Sequence, residues 1–343
     1  MQETALQKRI TVLDQLGKTL GRLLQVPLSE NESLAALIRT AEAENKWFTS
    51  DYILKALNYW SQQLTSNKLL DWITPYTLNP HQEKRILLIM AGNIPLVGFH
   101  DLLSVYLSGH HCLIKPSQKD STLIRFMVEH IHHLDSASTQ SLQIRLDPGA
   151  DFDAVIATGS NNSGRYFDYY FKKYPHLIRK NRNSVALLLK DTNTHSLELL
   201  ANDIFDYFGL GCRNVTQLLI ERGFELKALT KVLSARSEIL QHNKYANNVE
   251  YQRSLLLLNQ AEFIDAETIL MVEDETIHSP IGVLHYKWIE DRLEADKWAE
   301  TYSEDIQCAV GPFNYGIPFG HSQQPTLDTY ADQIDTLTFL SNL

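Results

Sequence analysis

The chain has 343 residues, of which 44% are hydrophobic and 21% charged, an ordinary composition for a globular protein with a large core. The formal net charge of −10 argues against a general nucleic-acid binder, because nothing concentrates enough basic charge to neutralise a phosphate backbone. The N-terminus is polar, and no apolar run approaches the roughly 18 residues of a membrane-spanning helix. We therefore expect no secretory signal and no membrane span, and the length favours two domains.

Cysteine and histidine usage argues against disulfides and metals. The three cysteines, Cys112, Cys212 and Cys308, stand far apart without a C-x-x-C motif. This spacing predicts no disulfide framework and no zinc cage, and it indicates a reducing, cytoplasmic location. Histidines at 110–111 and 132–133 are sequence neighbours, whose side chains project to different sides of an element. No H-E-x-x-H motif occurs, so the sequence predicts no metal site.

The order of predicted elements indicates an α/β protein. Residues up to about 75 are predicted to be helical, with leucines at helical spacing until Pro27 and further helices over 31–43 and 50–64. Strand and helix then alternate, which is typical of doubly wound, mostly parallel sheets. Predicted strands cover 85–90, 112–114, 143–146, 154–158, 185–189, 215–220, 268–272, 282–286 and 306–310; predicted helices cover 96–108, 120–133, 162–172, 196–208, 226–240 and 289–301.

A cysteine stands between a predicted helix and a predicted strand, in the sequence Gly-Leu-Gly-Cys at 209–212. The glycines allow a sharp turn and the close approach of a ligand. Cys212 is therefore a candidate thiol nucleophile. The alternative is a small buried hydrophobic residue in a structural turn.

Polar residues follow three predicted strands, at the ends where ligands bind in such sheets. Thr-Gly-Ser at 158–160 opens a predicted helix whose free N–H groups favour an anion such as a pyrophosphate, although a structural turn remains the alternative. Lys115 and Ser117, separated by a rigid proline, could receive a ribose or its phosphate, or form a solvated turn. Asn93 could donate to a developing oxyanion or simply cap a helix.

The order and spacing of Asn93, Lys115, Ser160 and Cys212 resemble those of the aldehyde dehydrogenase superfamily. The segments at 91–95, 211–215, 279–286 and 318–327 resemble, more narrowly, the LuxC-type acyl-CoA reductases, which act on acyl-CoA or acyl-protein thioesters. The similarity extends from about residue 45 to the C-terminus. It implies an aldehyde-dehydrogenase-like fold with two doubly wound α/β domains and a helical N-terminal region. The expected dinucleotide-binding domain, with that region, is 1–183, and the catalytic domain is 184–343.

The resemblance also implies roles for individual residues. Cys212 would be the catalytic thiol, and Asn93 would donate to the oxyanion with help from the Cys212 backbone N–H. The cofactor-binding residues would be Lys115, Ser117, Gln118, Thr158, Gly159 and Ser160. The implied reaction is the NADPH-dependent reduction of a fatty acyl-CoA, or of an acyl-protein thioester, to the aldehyde through an acyl-cysteine.

Two departures from ordinary aldehyde dehydrogenases refine this expectation. The segment 178–184, where a glutamate would activate water, contains no carboxylate. Water is then a poor nucleophile toward an acyl-enzyme, which favours reduction of a thioester over oxidation of an aldehyde. Gln118 stands where many NAD-dependent relatives have a glutamate that would repel a 2′-phosphate. This favours NADPH, with NADH remaining open.

Several alternatives remain at this stage. The same thiol could serve an acyltransferase or acyl carrier without redox chemistry, or the chain could be a non-enzymatic partner in a pathway complex. The general acid is undetermined among His100, His285 and His321. Arg213 or a helix terminus could favour the thiolate of Cys212. The resemblance further implies a homo-oligomer and an acyl-protein synthetase as partner.

Overall fold

A computed structural model describes residues 4–78, 82–145, 147, 149, 151–159, 167 and 169–343. They form two compact units: the first contains the residues up to Lys180 together with Thr326–Leu343, and the second is Asn181–Pro325. The C-terminal segment thus belongs to the first unit, whereas the expected catalytic domain included it. The assignment of a cofactor-binding and a catalytic domain stays a prediction.

The first unit begins with a helical layer, as the leucine spacing predicted. Its helices are α1 (Ala5–Gln25), α2 (Glu32–Glu44), α3 (Ser50–Gln63) and α4 (Ser66–Ile73). Side chains of Thr4, Asn31 and Thr49 cap the first three by accepting from backbone N–H groups. The short α4 lies in the region predicted to be helical but was not predicted as a separate helix. Their apolar faces join one large core, in which Leu13 and Leu16 are fully buried.

A five-stranded parallel sheet follows these helices. Its strands are β1 (Arg85–Ile89), β2 (His111–Lys115), β3 (Leu142–Ile144), β4 (Ala154–Thr158) and β5 (His176–Arg179), in the order β3-β2-β1-β4-β5. The helices α5 (Phe99–Ser108), α6 (Ser121–Leu134) and α7 (Ser138–Ser141) belong to its crossovers. The chain order reverses between β1 and β4, which is where ligands bind in such sheets. Strand β5 was not predicted, and most of the predicted helix 162–172 lies outside the described residues.

The second unit contains a six-stranded sheet. Its strands are β6 (Asn183–Leu188), β7 (Val215–Glu221), β8 (Ile264–Asp265), β9 (Leu270–Glu273), β10 (Val283–Ile289) and β11 (Ile306–Val310), in the order β11-β6-β7-β10-β9-β8. Only β8, a two-residue edge strand, runs antiparallel to its neighbour in the described sheet. The predicted α/β class with mostly parallel sheets is therefore confirmed.

The helices of the second unit depart from the predicted ranges in physically explicable ways. They are α8 (Thr194–Phe205), α9 (Leu226–Ser234), α10 (Asn243–Leu258) and α11 (Arg292–Thr301). The predicted helix 226–240 was too long, because the chain tightens into a 3₁₀ turn over Ser237–Gln241. The predicted helix 289–301 began too early, because Ile289 still belongs to β10. Helix α10 was missed because it lacks an apolar stripe: Leu257 and Leu258 are exposed.

A buried ion pair fixes the end of β5 in the first unit. The Arg179 guanidinium donates to both carboxylate oxygens of Asp101, at 3.0 and 2.7 Å, and also to Thr336 Oγ1 and the Ala331 carbonyl. The next residue, Lys180, donates its N–H to the Asp332 carboxylate at 3.0 Å. Helix α12 (Thr336–Ser341) and the segment before it are thereby attached to β5 and α5.

Within the described part of the chain, no helix is long and apolar enough to span a membrane. Nor does that part contain a group of three or more His, Cys, Asp or Glu side chains arranged to hold a metal ion.

Candidate active site

The loops that follow β1 and β2 contact each other at Gly92. A Cβ atom on Gly92 would lie 2.7 Å from both Cβ and Oγ of Ser117, so the contact requires glycine. Asn45 Nδ2 donates to the Gly92 carbonyl at 3.1 Å and fixes the loop from the other side. The fold therefore brings the loop carrying Asn93 against the loop carrying Lys115 and Ser117, as the parallel sheet predicted.

The predicted cofactor-binding residues occupy the ends of neighbouring strands. Ile89, the last residue of β1, pairs with Lys115 on one side and Ala157 on the other, so Thr158 and Gly159 follow immediately. Lys115 and Gln118 are exposed, while Ser117, Thr158 and Gly159 are partly buried. Ser160 lies outside the described residues. The described members of the set thus surround the point where the strand order reverses, and their binding role stays a prediction.

The sequence analysis did not identify Asp120, which supports the loop after β1. Its side chain is 1% exposed, and one carboxylate oxygen accepts the Leu96 N–H at 2.8 Å. Leu96 has a φ of +59°, a conformation that costs energy for a branched side chain and needs external support. The other carboxylate oxygen has no hydrogen-bond partner among the described residues. Burial raises the pKa of Asp120 well above its usual value, and nearby Glu44 adds to this effect.

Asp120 predicts a pH dependence of stability. A carboxyl whose pKa is raised by folding binds its proton more tightly in the native state, so the free energy of unfolding falls as the pH rises above its unfolded pKa. We expect the wild type to lose stability relative to Asp120→Asn between pH 4 and 7, by at most about 1.4 kcal/mol per pH unit, the slope for one proton. Urea denaturation of both proteins across this range measures the difference; parallel stability curves would contradict the expectation.

The candidate nucleophile follows an unusual turn. Helix α8 ends at Phe205 rather than at the predicted Phe208, because Tyr207, Phe208 and Gly209 have φ angles of +52°, +59° and +73°. Left-handed backbone of this kind cannot continue a right-handed helix. The Phe208 ring is buried and stacks on the His242 ring, with centroids 4.1 Å apart. The turn places Cys212, which is partly exposed, just before β7 at the N-terminal edge of the second sheet.

Asn214 fills the space beneath this turn and was not singled out from the sequence. It is fully buried, and its Nδ2 donates to the carbonyls of Asp203, Ile204 and Asp206 at 3.1, 3.3 and 2.7 Å. Its Oδ1 accepts the Gly211 N–H at 2.8 Å. The side-chain amide thus satisfies the carbonyls at the end of α8 and fixes the residue that precedes Cys212.

A serine joins the backbone of Cys212 to a second thiol. Ser184 Oγ donates to the Cys212 carbonyl at 3.1 Å and lies 2.9 Å from Cys308 Sγ. Either atom of the Ser184–Cys308 pair can be the donor in this second contact. Burial raises the pKa of Cys308, and this effect outweighs the lowering by Arg213. Cys308 thus contacts a polar group, whereas Cys112 is fully buried in the core.

The segment 318–327, one of those that resemble the LuxC-type reductases, is hydrogen-bonded to helix α8. Asp203 of α8, 1% exposed, accepts the N–H of Gly320 at 2.6 Å and that of Ser322 at 2.9 Å. Burial raises the pKa of Asp203, although these two hydrogen bonds act in the opposite direction. The Pro-Phe-Gly-His segment at 318–321 is therefore attached to the helix that leads into the turn of Cys212.

The three histidines considered as general acids have structural contacts. His100 Nε2 donates to the Leu327 carbonyl at 2.8 Å, and its ring packs on Trp72. His285 Nδ1 donates to the Thr276 carbonyl at 2.8 Å. His321 is exposed and bonds the nearby Phe319 carbonyl at 3.0 Å. These contacts do not assign a proton donor, and the general acid stays undetermined.

The fold is that of the aldehyde dehydrogenases. Aldehyde dehydrogenase 21 of Physcomitrella patens, in complex with its reaction product succinate, matches with a TM-score of 0.69 and 12% identity over 99% of this chain and 84% of its own. A Pseudomonas syringae aldehyde dehydrogenase variant, complexed with NAD+ and octanal, matches with a TM-score of 0.64 and 13% identity over 90% of this chain and 73% of its own. The aldehyde dehydrogenase of Bartonella henselae matches with a TM-score of 0.63 and 14% identity over 89% of this chain and 73% of its own.

The family follows from the sequence itself. The family model of the acyl-CoA reductases (LuxC) matches residues 79–253, just over half of the chain. The chain therefore belongs to the LuxC acyl-CoA reductase family, which confirms the resemblance and makes it an aldehyde-related oxidoreductase. No curated protein matches the sequence.

Proposed function

We propose that this protein reduces an acyl-CoA, or an acyl-protein thioester, to the corresponding aldehyde, and that Cys212 carries the acyl group. The observation that supports this most strongly is the turn over Tyr207–Gly211, which is stabilised by buried polar contacts and presents the thiol at its end. The matched segment 79–253 includes Cys212 together with Asn93.

The proposed chemistry uses the thiol twice. The Cys212 thiolate attacks the thioester carbonyl carbon, the new C–S bond forms, and the donor thiol leaves with a proton. A reduced nicotinamide, when bound, would supply a hydride to the carbonyl carbon of the acyl-cysteine, which would become a thiohemiacetal anion. Collapse of this anion would break the C–S bond, release the aldehyde and return Cys212 as the thiolate. The Asn93 amide would donate to the oxygen that becomes negative in both addition steps.

The residues at the end of the first sheet fit a dinucleotide. The contact of Gly92 with Ser117 lets the loops after β1 and β2 approach each other, next to the point between β1 and β4 where the strand order reverses. Lys115 is exposed beside it and carries no carboxylate partner in the described ion pairs. Two structural neighbours are complexes with NAD+, an indole-3-acetaldehyde dehydrogenase and the Pseudomonas syringae variant. These observations support a nicotinamide cofactor for this chain.

We propose NADPH as the preferred form. Gln118 and Lys119 are both exposed directly after β2, and the position that would hold a ribose-binding carboxylate is neutral. A 2′-phosphate would then meet two lysines, Lys115 and Lys119, and no repelling charge from residue 118. NADH remains the alternative.

The absence of a carboxylate from segment 178–184 supports reduction rather than hydrolysis. No carboxylate follows β5, and the Arg179 side chain at its end is occupied by Asp101. An acyl group on Cys212 therefore lacks a nearby base on this segment that would activate water. Such an intermediate would persist until hydride arrives.

Mass spectrometry after incubation with acyl-CoAs of several chain lengths, without nicotinamide, tests the proposal. We expect the acyl group on the peptide that contains Cys212, and we expect it to leave as aldehyde when NADPH is added. NADH in a parallel reaction decides the cofactor. Acylation at another residue would contradict the assignment of Cys212. Transfer of the acyl group to another acceptor, without consumption of either nicotinamide, would support the acyltransferase alternative. The synthetase partner, homo-oligomer and cytoplasmic location stay predictions.

A further inference from the structure

We infer that Asn214 is the positioning residue of the nucleophile: its side-chain amide holds the turn that sets the direction of the Cys212 thiol. The inference rests on the proposed function, because it takes Cys212 as the acyl acceptor. Asn214 itself is fully buried and would not contact the substrate. It would act through the backbone on both sides of the turn.

The hydrogen bonds of Asn214 use the whole amide group. Nδ2 bonds three carbonyls from the last turn of α8 and the residue after it, and Oδ1 bonds the Gly211 N–H. The backbone N–H of Asn214 adds a bond to the Gly211 carbonyl at 3.1 Å, and its carbonyl accepts the Ser184 N–H at 3.2 Å. One residue therefore links the end of α8, the turn, and the first strand of the second sheet.

The turn needs this support because its backbone is unfavourable. Tyr207 and Phe208 are non-glycine residues in the left-handed region, and each would relax toward ordinary angles without external contacts. Relaxation would move Gly211 and, with it, the thiol of the next residue. The acylation step depends on the approach angle and distance of sulfur to the thioester carbon, and a displacement near 1 Å can cost about 100-fold in rate.

No other residue type of similar size supplies the same set of bonds. A carboxylate in place of the amide has no donor, and it would place negative charge against the three carbonyl oxygens. A leucine would leave the Gly211 N–H and the carbonyls buried without partners. The position of the Cys212 thiol thus depends on the amide group of residue 214 rather than on the volume of that side chain.

Asn214→Ala tests the inference, with Asn193→Ala as the matched control. Asn193 caps the opposite end of α8 through the Ser196 N–H, so its loss weakens the same helix without touching the turn. Two rates are measured on each folded protein: acylation by acyl-CoA in a single turnover, and alkylation of Cys212 by iodoacetamide. We expect acylation of Asn214→Ala to fall about 100-fold while alkylation changes little, because a small reagent tolerates a misdirected thiol. The control should keep both rates.

The outcomes separate this inference from the proposed function. If the wild type is not acylated at Cys212, the proposed function fails, whatever the variants do. If the wild type is acylated there and Asn214→Ala is acylated at the same rate, the positioning role is wrong. Equal losses in acylation and alkylation would also overturn it, because they would indicate changed thiol ionisation or access. If Asn214→Ala does not fold, hydrogen exchange of the wild type tests the positioning role. Rapid exchange of the Gly211 N–H would contradict a stable hydrogen bond to Asn214 Oδ1, and strong protection would support it.

Discussion

Replacement of Cys212 by serine is expected to lower aldehyde formation from acyl-CoA by roughly 10⁴-fold or more, the scale seen when a covalent nucleophile is removed. A serine hydroxyl at this position would need a strong base to attack a thioester, because its pKa lies far above that of a thiol. Binding of NADPH should be unchanged, because the predicted cofactor residues belong to the first unit and Cys212 to the second. Steady-state reduction assays together with a fluorescence titration of NADPH measure both quantities.

Cys308→Ser is the matched control for this experiment. Its thiol lies in the same network, 2.9 Å from Ser184 Oγ, and a serine hydroxyl can still form that hydrogen bond as donor or acceptor. We expect the variant to retain most of its activity and to be acylated at Cys212. Undiminished turnover by Cys212→Ser, or loss of acylation only in Cys308→Ser, would show that the wrong thiol has been assigned.

Replacement of Asp101 by alanine is expected to destabilise the protein by about 3–5 kcal/mol, the cost of leaving one partner of a buried ion pair alone. The Arg179 and Asp101 side chains are only 3% and 8% exposed, and the guanidinium would keep its charge without a counterion. Urea denaturation at pH 7 measures the loss. A change below about 1 kcal/mol would contradict the expectation.

An exposed pair with the same shortest N···O distance provides the control. Arg222 and Glu290 also lie 2.7 Å apart, but their side chains are 62% and 72% exposed, so Glu290→Ala should cost about 0–1 kcal/mol. Burial alone would raise the pKa of Asp101, yet Arg179 lowers it below the usual value. The stabilisation by this carboxylate is therefore present above its unfolded pKa and lost as the pH falls through its folded pKa. The difference between wild type and Asp101→Ala should narrow accordingly in acid.

Local patterns predicted most elements but misplaced several of their ends. Apolar runs such as 154–158 match a strand because both faces of a central strand are buried, and a short sequence window records this directly. Strand β5 is an edge strand with a mixed pattern, and α10 buries only Tyr245 and Val249. Strand β5 does alternate in burial, but over only four residues, and α10 has no apolar stripe, so a sequence window detects neither element.

For the candidate site, too, local sequence patterns identified some residues and missed others. The sequence indicated Asn93, Lys115 and Cys212, because strand ends and glycine turns are marked by local residue types. It did not indicate Asp120 or Asn214, whose importance comes from hydrogen bonds to backbone groups. An asparagine two residues after a cysteine carries no signal of the carbonyls it will meet. Only the end of α8, followed by three left-handed residues, creates that set of acceptors.

The sequence by itself determined the α/β class, the family and the order of residues with suitable chemistry, because each depends on short segments and their spacing. The tertiary structure alone decided that the loop of Gly92 lies against Ser117, that Asp101 neutralises Arg179, and that Asn214 supports the turn of Cys212. These contacts pair polar groups that are buried, and a buried polar group without a hydrogen-bond partner lowers the free energy of unfolding. A linear pattern records which groups are present, whereas only folding determines which of them must pair.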